Sequence, residues 1–295
     1  MADVIDPGVA RTLWRVIEPY HQLAYRSPEA QAAYAAIGLD RPDLQYFGGR
    51  LASMGPISAE VATAVLFGFA PGYVRRAVPE VWDHAAPAAI VEARTLGAAR
   101  TLDRVLGAAA GGAAMDEAAD LGRTVAEAAD LAGRPLAAAH RSQPWPDDPA
   151  LVLWHACTIL REHRGDAHWA VTSAFGLDSL ECHVLHAADG HMPDDMLQRV
   201  TGWDDDAWAA AWGRLRDRGL VEQRSATAAG SDLKAAIEHR TDDLAIEPFS
   251  AIGTDGCRRL AELMTPLAAA ITASGIIGAW QIREELWRDL PPRRS

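Results

Sequence analysis

The sequence has 295 residues, of which 49% are hydrophobic and 23% charged, a mixture that forms cores and excludes disorder as the main state. Its 28 lysines and arginines against 40 aspartates and glutamates give a formal charge of -12, which leaves no general basic face for a phosphate backbone. Three separated cysteines, no leader segment and no long apolar run predict a soluble cytoplasmic protein without a membrane partner.

Alanine-rich windows with apolar residues at helical spacing follow one another along the chain, and they predict a mainly α fold. The pattern is clearest over 254–271, where apolar residues recur at positions i, i+3, i+4 and i+7. Glycines and prolines separate the windows. The other predicted helices are 9–24, 29–37, 58–69, 88–106, 115–132, 150–163, 166–175, 178–188, 193–200, 204–218 and 231–245.

A proline-rich stretch at 142–149 marks the predicted domain boundary, because proline lacks the backbone N–H that a helix interior needs. A second low-complexity stretch, 108–114, is also predicted to be a linker. The boundary gives an N-terminal degenerate winged-helix-like lobe with connecting helices over 1–141. A C-terminal winged-helix lobe with a C-terminal helix follows over 150–295.

The two halves share an order of short motifs at an offset of about 140 residues. A Leu-Trp pair, a Gly-Leu-Asp turn and a proline that starts two short helices lie at 13–14, 38–40 and 54–56, and again at 153–154, 176–178 and 191–193. This order predicts two pseudo-repeated winged-helix-like lobes that form an intramolecular pseudo-dimer. The alternative is that helix-turn-helix composition recurs in the chain without a true repeat.

The segment 178–245 has the element order of a winged helix. A short helix and a longer one meet at Gly202, an Arg-Gly-Leu-Val run at 218–221 enters a strand, and a Thr-Ala-Ala-Gly run at 227–230 begins the next helix. This order resembles the winged helix of MarR-type regulators. The resemblance implies the fold and leaves the activity open.

The longer helix of this segment begins with three aspartates at 204–206, which complement the helix dipole and repel phosphates. The sequence therefore argues against nucleic acid as the main partner. The alternative is a MarR-like DNA-binding transcriptional regulator that presents arginines from both halves of the chain. Those arginines are Arg75, Arg76, Arg214 and Arg216.

The densest polar run, 161–168, combines two histidines with charged side chains and a glycine. Gly165 is predicted to end one helix and Asp166 to cap the next, which would place His163 and His168 on facing sides of a tight corner. Such a corner suits a ligand pocket, an acid/base site or a structural polar contact. All three interpretations stay open at this point.

Polar residues of the N-terminal half occupy related positions, since His21 corresponds to His163 in the repeat. Arg50 lies among apolar neighbours and needs an anionic partner, for which Glu18 is predicted. If the lobes bring these groups together, they form a cleft for a small ligand. The predicted ligand-binding residues are His21, Tyr25, Arg50, His163, Arg164, Asp166 and His168.

The histidine spacings do not favour a metal site. His163 and His168 are five positions apart instead of the four of an H-E-x-x-H helix, and His183 with His186 falls on a predicted helix surface. No metal and no cofactor are therefore assigned.

Motifs over nearly the whole chain are similar to those of a family of actinobacterial helix-turn-helix-like proteins with degenerate, MarR-like winged helices. The matching motifs are Glu18-Pro19-x-His21, Tyr46-Phe47-x-x-Arg50, Met54-Gly55, Pro144-Trp145-Pro146-Asp147-Asp148-Pro149, the run from Leu160 to His168, Thr241-Asp242 and Pro248. The resemblance implies the same tandem fold and transfers no catalytic residue.

The sequence thus predicts a small-molecule-binding protein on a degenerate winged-helix scaffold, with a ligand of unassigned chemistry. Two alternatives stay open: the MarR-like regulator, and an enzyme that uses the His/Asp/Arg cluster between the lobes. Nucleotide-binding and α/β-hydrolase motifs are absent from the sequence. The oligomeric state is not assigned.

Overall fold

The computed structural model describes residues 5–277, of which 74% are helical, and this confirms the mainly α class. No helix within that span is long and apolar enough to cross a lipid bilayer. The helices are α1 (Gly8–Arg26), α2 (Pro28–Ala35), α3 (Pro42–Leu51), α4 (Ala59–Leu66), α5 (Pro71–Arg75), α6 (Val81–His84), α7 (Pro87–Leu106), α8 (Ala113–Ala128), α9 (Pro135–Arg141), α10 (Pro149–Ala174), α11 (Glu181–Ala188), α12 (Asp194–Thr201), α13 (Asp205–Asp217), α14 (Ala228–Ala245) and α15 (Gly253–Ala273). Short 3-10 segments lie at Ala52–Met54, Gly107–Ala110 and Glu247–Ala251, and a hairpin pairs β1 (Val221–Glu222) with β2 (Ser225–Ala226).

The predicted break between two helices at Gly165 is wrong. Helix α10 runs through Gly165 without a break, so His163 and His168 lie in one helix and not at a corner. A glycine costs a helix interior about 0.5–1 kcal/mol relative to alanine. The buried side chains of Glu162 and Asp166 on either side of Gly165 fix the helix at this point, which offsets that cost.

Several short helices escape the periodicity analysis because they begin at a proline. Proline is favoured in the first turn of a helix, where its missing N–H removes no hydrogen bond. Helices α3, α5 and α9 start in this way, at Pro42, Pro71 and Pro135. At these three places the proline begins a helix and does not only end the preceding one.

Three buried apolar clusters organise the fold. The central cluster joins α1, α7, α8, α10 and α15, and thus contains residues from both sides of the predicted boundary at 142–149. A second cluster packs α2 to α6 against α7, and a third packs α11 to α14 around the C-terminal end of α10. Helices α1 and α10 therefore form the centre of the molecule, with a helical cluster of each half attached to it.

The third cluster follows the predicted winged-helix order of α11, α12, α13, hairpin and α14. Gly202, with φ of +76°, ends α12 in the left-handed conformation that glycine adopts without strain. Asp204 caps α13 by accepting a hydrogen bond from the backbone N–H of Ala207 at 2.7 Å. Trp208 and Trp212 are buried, so the inward face of α13 packs on the cluster.

Two glycines inside helices should respond in opposite ways to alanine. At Gly165 an added Cβ would lie at an ordinary 3.6 Å from Oε2 of Glu162, so Gly165→Ala should raise the free energy of unfolding by up to about 1 kcal/mol. At Gly97 of α7 the Cβ would lie 2.5 Å from Cα of Ala30, so Gly97→Ala should lower it. Urea unfolding measures both changes, and a loss of stability in Gly165→Ala would contradict the continuous helix.

Candidate functional site

A carboxylate with no solvent exposure, that of Glu162, lies where α1, α3 and α10 meet. Its Oε1 and Oε2 accept hydrogen bonds from Nε and Nη2 of Arg50, both at 3.0 Å, and Oε2 also accepts one from Nη1 of Arg161 at 2.9 Å. Burial raises the pKa of this carboxyl, but the charges of Arg161 and Arg50 outweigh burial and hold the pKa well below its usual range. Glu162 is therefore ionised in the folded protein.

The predicted pair of Arg50 with Glu18 is wrong, because Arg50 bonds Glu162. Glu18 instead accepts a hydrogen bond from Nε of Arg161 at 3.1 Å. Two guanidinium groups and two carboxylates thus alternate in one buried network of zero net charge. An arginine can form two parallel hydrogen bonds with a carboxylate that lies in the plane of its guanidinium group. Glu162 of α10 lies opposite Arg50 of α3 and is the carboxylate that Arg50 binds in this way.

Two other predicted residues adjoin this network. Nε2 of His21 lies 4.0 Å from Oε1 of Glu162, and Nδ1 lies 3.2 Å from Oγ1 of Thr158. Burial lowers the pKa of His21 well below its usual value, so its ring is neutral at pH 7. The hydroxyl of Tyr25 accepts a hydrogen bond from Nη2 of Arg94 at 3.3 Å. Arg50 and His21 thus adjoin one carboxylate, and Tyr25 packs on His21 with ring centres 5.1 Å apart.

Arg164 and His168 lie on another face of α10, against α14. Arg164 donates hydrogen bonds to Oε2 of Glu238 and to Oδ1 of Asp242, both at 3.0 Å. Nδ1 of His168 lies 3.1 Å from Oγ1 of Thr241. These contacts attach the last helix of the winged segment to α10.

Asp166 and His163 face α9 and the loop before it. Oδ2 of Asp166 accepts hydrogen bonds from the backbone N–H groups of Leu136 and Ala137 at 3.0 and 3.1 Å, yet burial raises the pKa of Asp166 to about 7. Burial also lowers the pKa of His163 to about 4. The seven predicted ligand residues thus form three groups on different faces of α10, and their part in ligand binding stays a prediction.

A separate polar region lies where the loop after α4 meets the turn after α12. The N–H of Ala70 donates to the carbonyl of Thr201 at 2.9 Å, and Nε1 of Trp203 donates to the carbonyl of Gly68 at 3.0 Å. Nε2 of His183 lies 3.1 Å from the same Gly68 oxygen. The loop of the N-terminal half therefore fixes the turn in front of α13.

Next to this contact is an open cleft of about 680 Å³, which we call the arginine cleft. Its walls include Arg41, Arg76 and Arg199, together with Asp43 and the first residues of α13's turn. The side chains of Arg76 and Arg199 are 69% and 70% exposed and approach Asp43 and Asp195 only at 3.7 and 3.8 Å. Arg41, in contrast, is hydrogen-bonded to Glu80. Two exposed guanidinium groups thus lie beside the N-terminus of α13.

The outer face of α13 is free of contacts with the rest of the described chain. Asp206, Ala209, Ala210 and Arg216 are exposed along it. The side chain of Arg216 has no partner within residues 5–277. The exposed surface of the helix therefore carries two alanines in its middle, with Asp206 before them and Arg216 and Asp217 after them.

Two other arginines predicted to contact DNA, Arg75 and Arg214, differ in how strongly they are held by carboxylates of the protein. Arg75 is 57% exposed and approaches Glu60 only at 3.8 Å. Arg214, in contrast, donates to Oε1 of Glu181 at 2.9 Å and to Oδ2 of Asp178 at 2.7 Å. Arg214 is thus engaged in holding α13 to the start of α11. Their role in DNA binding stays a prediction.

The chain belongs to a helix-turn-helix family, since that family's model matches residues 10–278. No curated protein and no solved structure matches the chain. The family match confirms the helix-turn-helix part of the resemblance and supports a fold of the DNA-binding type. The actinobacterial and MarR-like details stay predictions.

The prediction that nucleic acid is an unlikely partner is wrong, because it conflicts with membership of a helix-turn-helix family. No comparison supports the small molecule predicted in its place. The prediction against nucleic acid rests on the net charge of the chain and on the acids at the start of α13, and neither shows which arginines the fold brings to that helix. Asp204 is used as the helix cap, and Asp205 accepts a hydrogen bond from the amide of Gln198 at 2.7 Å. Arg76 and Arg199 come from other elements, and only the folded chain brings them to the acidic end of α13.

Loss of the Glu162 charge should strongly destabilise the protein. Glu162→Gln leaves the buried Arg50 without its carboxylate partner and Arg161 with Glu18 alone, so we expect a loss of about 3–5 kcal/mol in the free energy of unfolding. The matched control is Glu127→Gln in the exposed pair with Arg123, for which we expect at most about 0.5 kcal/mol. Chemical denaturation compares the two variants, and equally small effects would contradict the structural role of the network.

Buried histidines should make stability fall as the pH decreases from 6.5 to 4. Burial lowers the pKa of His155, His163 and His168 from 6.5 to about 4, so the unfolded chain binds protons in this range that the folded chain does not. Their contribution is complete above pH 6.5 and is lost toward pH 4, at about 1.4 kcal/mol per pH unit for each histidine.

We therefore expect His163→Gln to flatten the decrease in the free energy of unfolding with falling pH, measured by denaturation at each pH. Asp166 acts in the opposite direction, because its pKa is raised from 3.8 to about 7 and its contribution is lost as the pH rises through that range. The comparison of variant with wild type at each pH removes that contribution. An unchanged slope would contradict the assignment for His163.

Proposed function

We propose that this protein is a DNA-binding transcriptional regulator of the MarR-like winged-helix type, with α13 as recognition helix and the β1–β2 hairpin as wing. One observation carries the proposal. The outer face of α13 is uncovered and its N-terminus lies beside the exposed guanidinium groups of Arg76 and Arg199. The match to a helix-turn-helix family over most of the chain supports it.

The surface of α13 suits close approach to a base-pair edge. In helix-turn-helix proteins the second helix enters the major groove, and its N-terminal residues reach the bases. Ala209 and Ala210 add little bulk to the exposed face, and alanine methyl groups can contact the methyl group of thymine. Arg216 lies one to two turns further along the same face, where it can reach a base or a phosphate.

The arginine cleft supplies the phosphate contacts in this proposal. Arg199 belongs to α12, the first helix of the motif, which crosses the DNA backbone in proteins of this type. Arg76 follows α5 and reaches the same cleft. A guanidinium group binds phosphate oxygens in bidentate geometry, so two exposed arginines beside α13 would hold it in position while its outer face contacts the bases.

We also propose that the N-terminal half is a second, degenerate unit of the same kind. Helices α1, α3, α4 and α7 follow one another as α10, α11, α12 and α14 do. Gly38 and Gly176 have φ of +90° and +76° at corresponding turns before α3 and α11. Because α5 ends at Arg75 and α6 has four residues, this unit offers no long recognition helix among the described residues. It would contribute arginines, and the C-terminal unit would contact the bases.

Reversal of charge in the arginine cleft should abolish most DNA affinity. We expect Arg76→Glu with Arg199→Glu to weaken binding at least about tenfold and to reduce the slope of log K against log salt by about 2. Fluorescence anisotropy with duplexes selected from pooled genomic fragments measures both quantities. The matched control is Arg100→Glu, an exposed arginine of α7 outside the cleft, which should bind as wild type.

A substitution on the outer face of α13 distinguishes contact with the bases from electrostatic attraction to the DNA backbone. Ala210→Glu adds bulk and charge at an exposed position, so it should remove the preference for selected over random duplex and leave the melting temperature nearly unchanged. Failure of the wild type to bind any genomic fragment at low salt would refute the proposed function. Wild-type affinity in the cleft double variant would refute the assigned interface.

A further inference from the structure

A cavity of about 500 Å³ lies between α7, α9, α10 and the proline-rich stretch that joins α9 to α10. It contains none of the seven residues predicted as ligand contacts, and it is separate from the arginine cleft. Its apolar wall includes Val91, Leu96, Leu151, Trp145 and Trp154. Small-molecule sites have volumes of roughly 300–1,000 Å³ and mostly apolar walls, so the size and the lining are those of a ligand pocket.

Four side chains of this wall each carry a buried nitrogen without a hydrogen-bond partner in the described part of the chain. The atoms are Nε of Arg94, Nε2 of His140, Nε1 of Trp154 and Nε2 of His155. Each of these side chains is at most 5% exposed. A buried polar group left unpaired costs about 1–3 kcal/mol, so four such groups around one cavity indicate partners that come from outside the chain.

Arg94 is the buried charge of the cavity, whose lining also includes the exposed side chain of Glu92. No ion pair joins its guanidinium to a carboxylate within residues 5–277, and its Nη2 donates to the hydroxyls of Tyr25 and Thr158 at 3.3 and 3.2 Å. Hydroxyl oxygens bind a guanidinium group without neutralising it. A buried arginine stays protonated, so an anion in the cavity would supply the missing counter-charge.

The two histidines of the cavity, His140 and His155, add no positive charge at pH 7 but can donate hydrogen bonds to an anion. Burial and then the charge of Arg94 lower the pKa of His155 to about 4 and that of His140 well below its usual value, so both rings are neutral at pH 7. Nδ1 of His140 lies 3.0 Å from Oγ of Ser53, which leaves Nε2 as the unpartnered nitrogen. A neutral imidazole can donate a hydrogen bond to a carboxylate without a second charge.

The aromatic side chains indicate the body of the ligand. The guanidinium of Arg94 lies 4.4 Å from the ring centre of Trp154, and Trp145 packs edge-to-face on His155 at 4.8 Å. A cation on one side of an indole and apolar side chains around it favour a flat apolar group attached to an acid. We propose that this cavity binds a small organic carboxylate whose acid group pairs with Arg94 and whose apolar body packs against Trp145 and Trp154.

Phenylacetate and its neutral analogue phenylacetamide test the proposal in the absence of DNA. The two probes share the ring and differ in charge, and the tryptophan emission of the protein includes Trp145 and Trp154 among its ten tryptophans. We expect phenylacetate to change the emission and raise the melting temperature, and phenylacetamide to bind at least about tenfold more weakly, because a charge-assisted hydrogen bond is the stronger kind. Equal binding of the two probes, or no binding of phenylacetate, would overturn the proposal.

Three variants test whether the probes bind in this cavity. Arg94→Gln should remove the preference for phenylacetate, and Arg100→Gln, an exposed neighbour on α7, should leave it unchanged. Ala99→Trp fills the cavity from its partly buried wall without touching the four unpartnered nitrogens, so it should abolish binding of both probes even if Arg94→Gln does not fold. Wild-type binding in Ala99→Trp would show that the probes bind elsewhere. Inorganic phosphate that stabilises as strongly as phenylacetate would overturn the organic class of ligand.

Discussion

The buried carboxylate of Glu162 determines how the two halves of this chain are held together. It bonds Arg50 of the N-terminal half and Arg161 of its own helix, and Arg161 continues the network to Glu18 of α1. Any sliding of α1 or α3 along α10 would leave a charge unpaired in a site that water does not reach. Because an uncompensated buried charge is among the costliest defects in a protein, the packing of these three helices is strongly specified.

The position of the winged segment follows from this arrangement. Helix α10 carries the network at its middle and the third apolar cluster at its end, and Phe67 stacks on its Trp169 with ring centres 5.3 Å apart. The same loop holds the turn before α13 through the carbonyl of Gly68. Arg76 and Arg199 therefore meet beside α13 because both attachments act together. The proposed DNA-binding surface depends on this fixed position of α13.

Local signals in the sequence were enough to predict the helical class and the order of helices and hairpin over 178–245. The Gly202 turn, the Asp204 cap and the strand entry at 218–221 each depend on neighbours a few residues away. The Arg50–Glu162 bond joins residues 112 positions apart, and no local pattern specifies it. Gly165 shows that a local signal can also mislead. Its cap-like neighbours predict a helix end, but the residue remains helical because buried side chains on either side fix the helix.

The candidate sites were harder to predict, because their charge balance is set by tertiary contacts. The aspartates at the start of α13 indicate repulsion of phosphate until the arginines of α12 and of the segment after α5 are placed beside them. Arg94 lies in an ordinary alanine-rich helical window and has no motif around it. Its importance depends on the absence of a carboxylate within the described chain, which only the folded arrangement reveals.

The cavity and the charge network are connected through Thr158. A guanidinium can only donate, so Oγ1 of Thr158 accepts a hydrogen bond from Arg94 at 3.2 Å, and the same hydroxyl lies 3.2 Å from Nδ1 of His21. The other ring nitrogen of His21, Nε2, lies 4.0 Å from Oε1 of Glu162. A series of contacts thus runs from Arg94 through Thr158 and His21 to the buried carboxylate. A negative charge placed at Arg94 would act on the first member of the same series of contacts that holds the two halves of the chain.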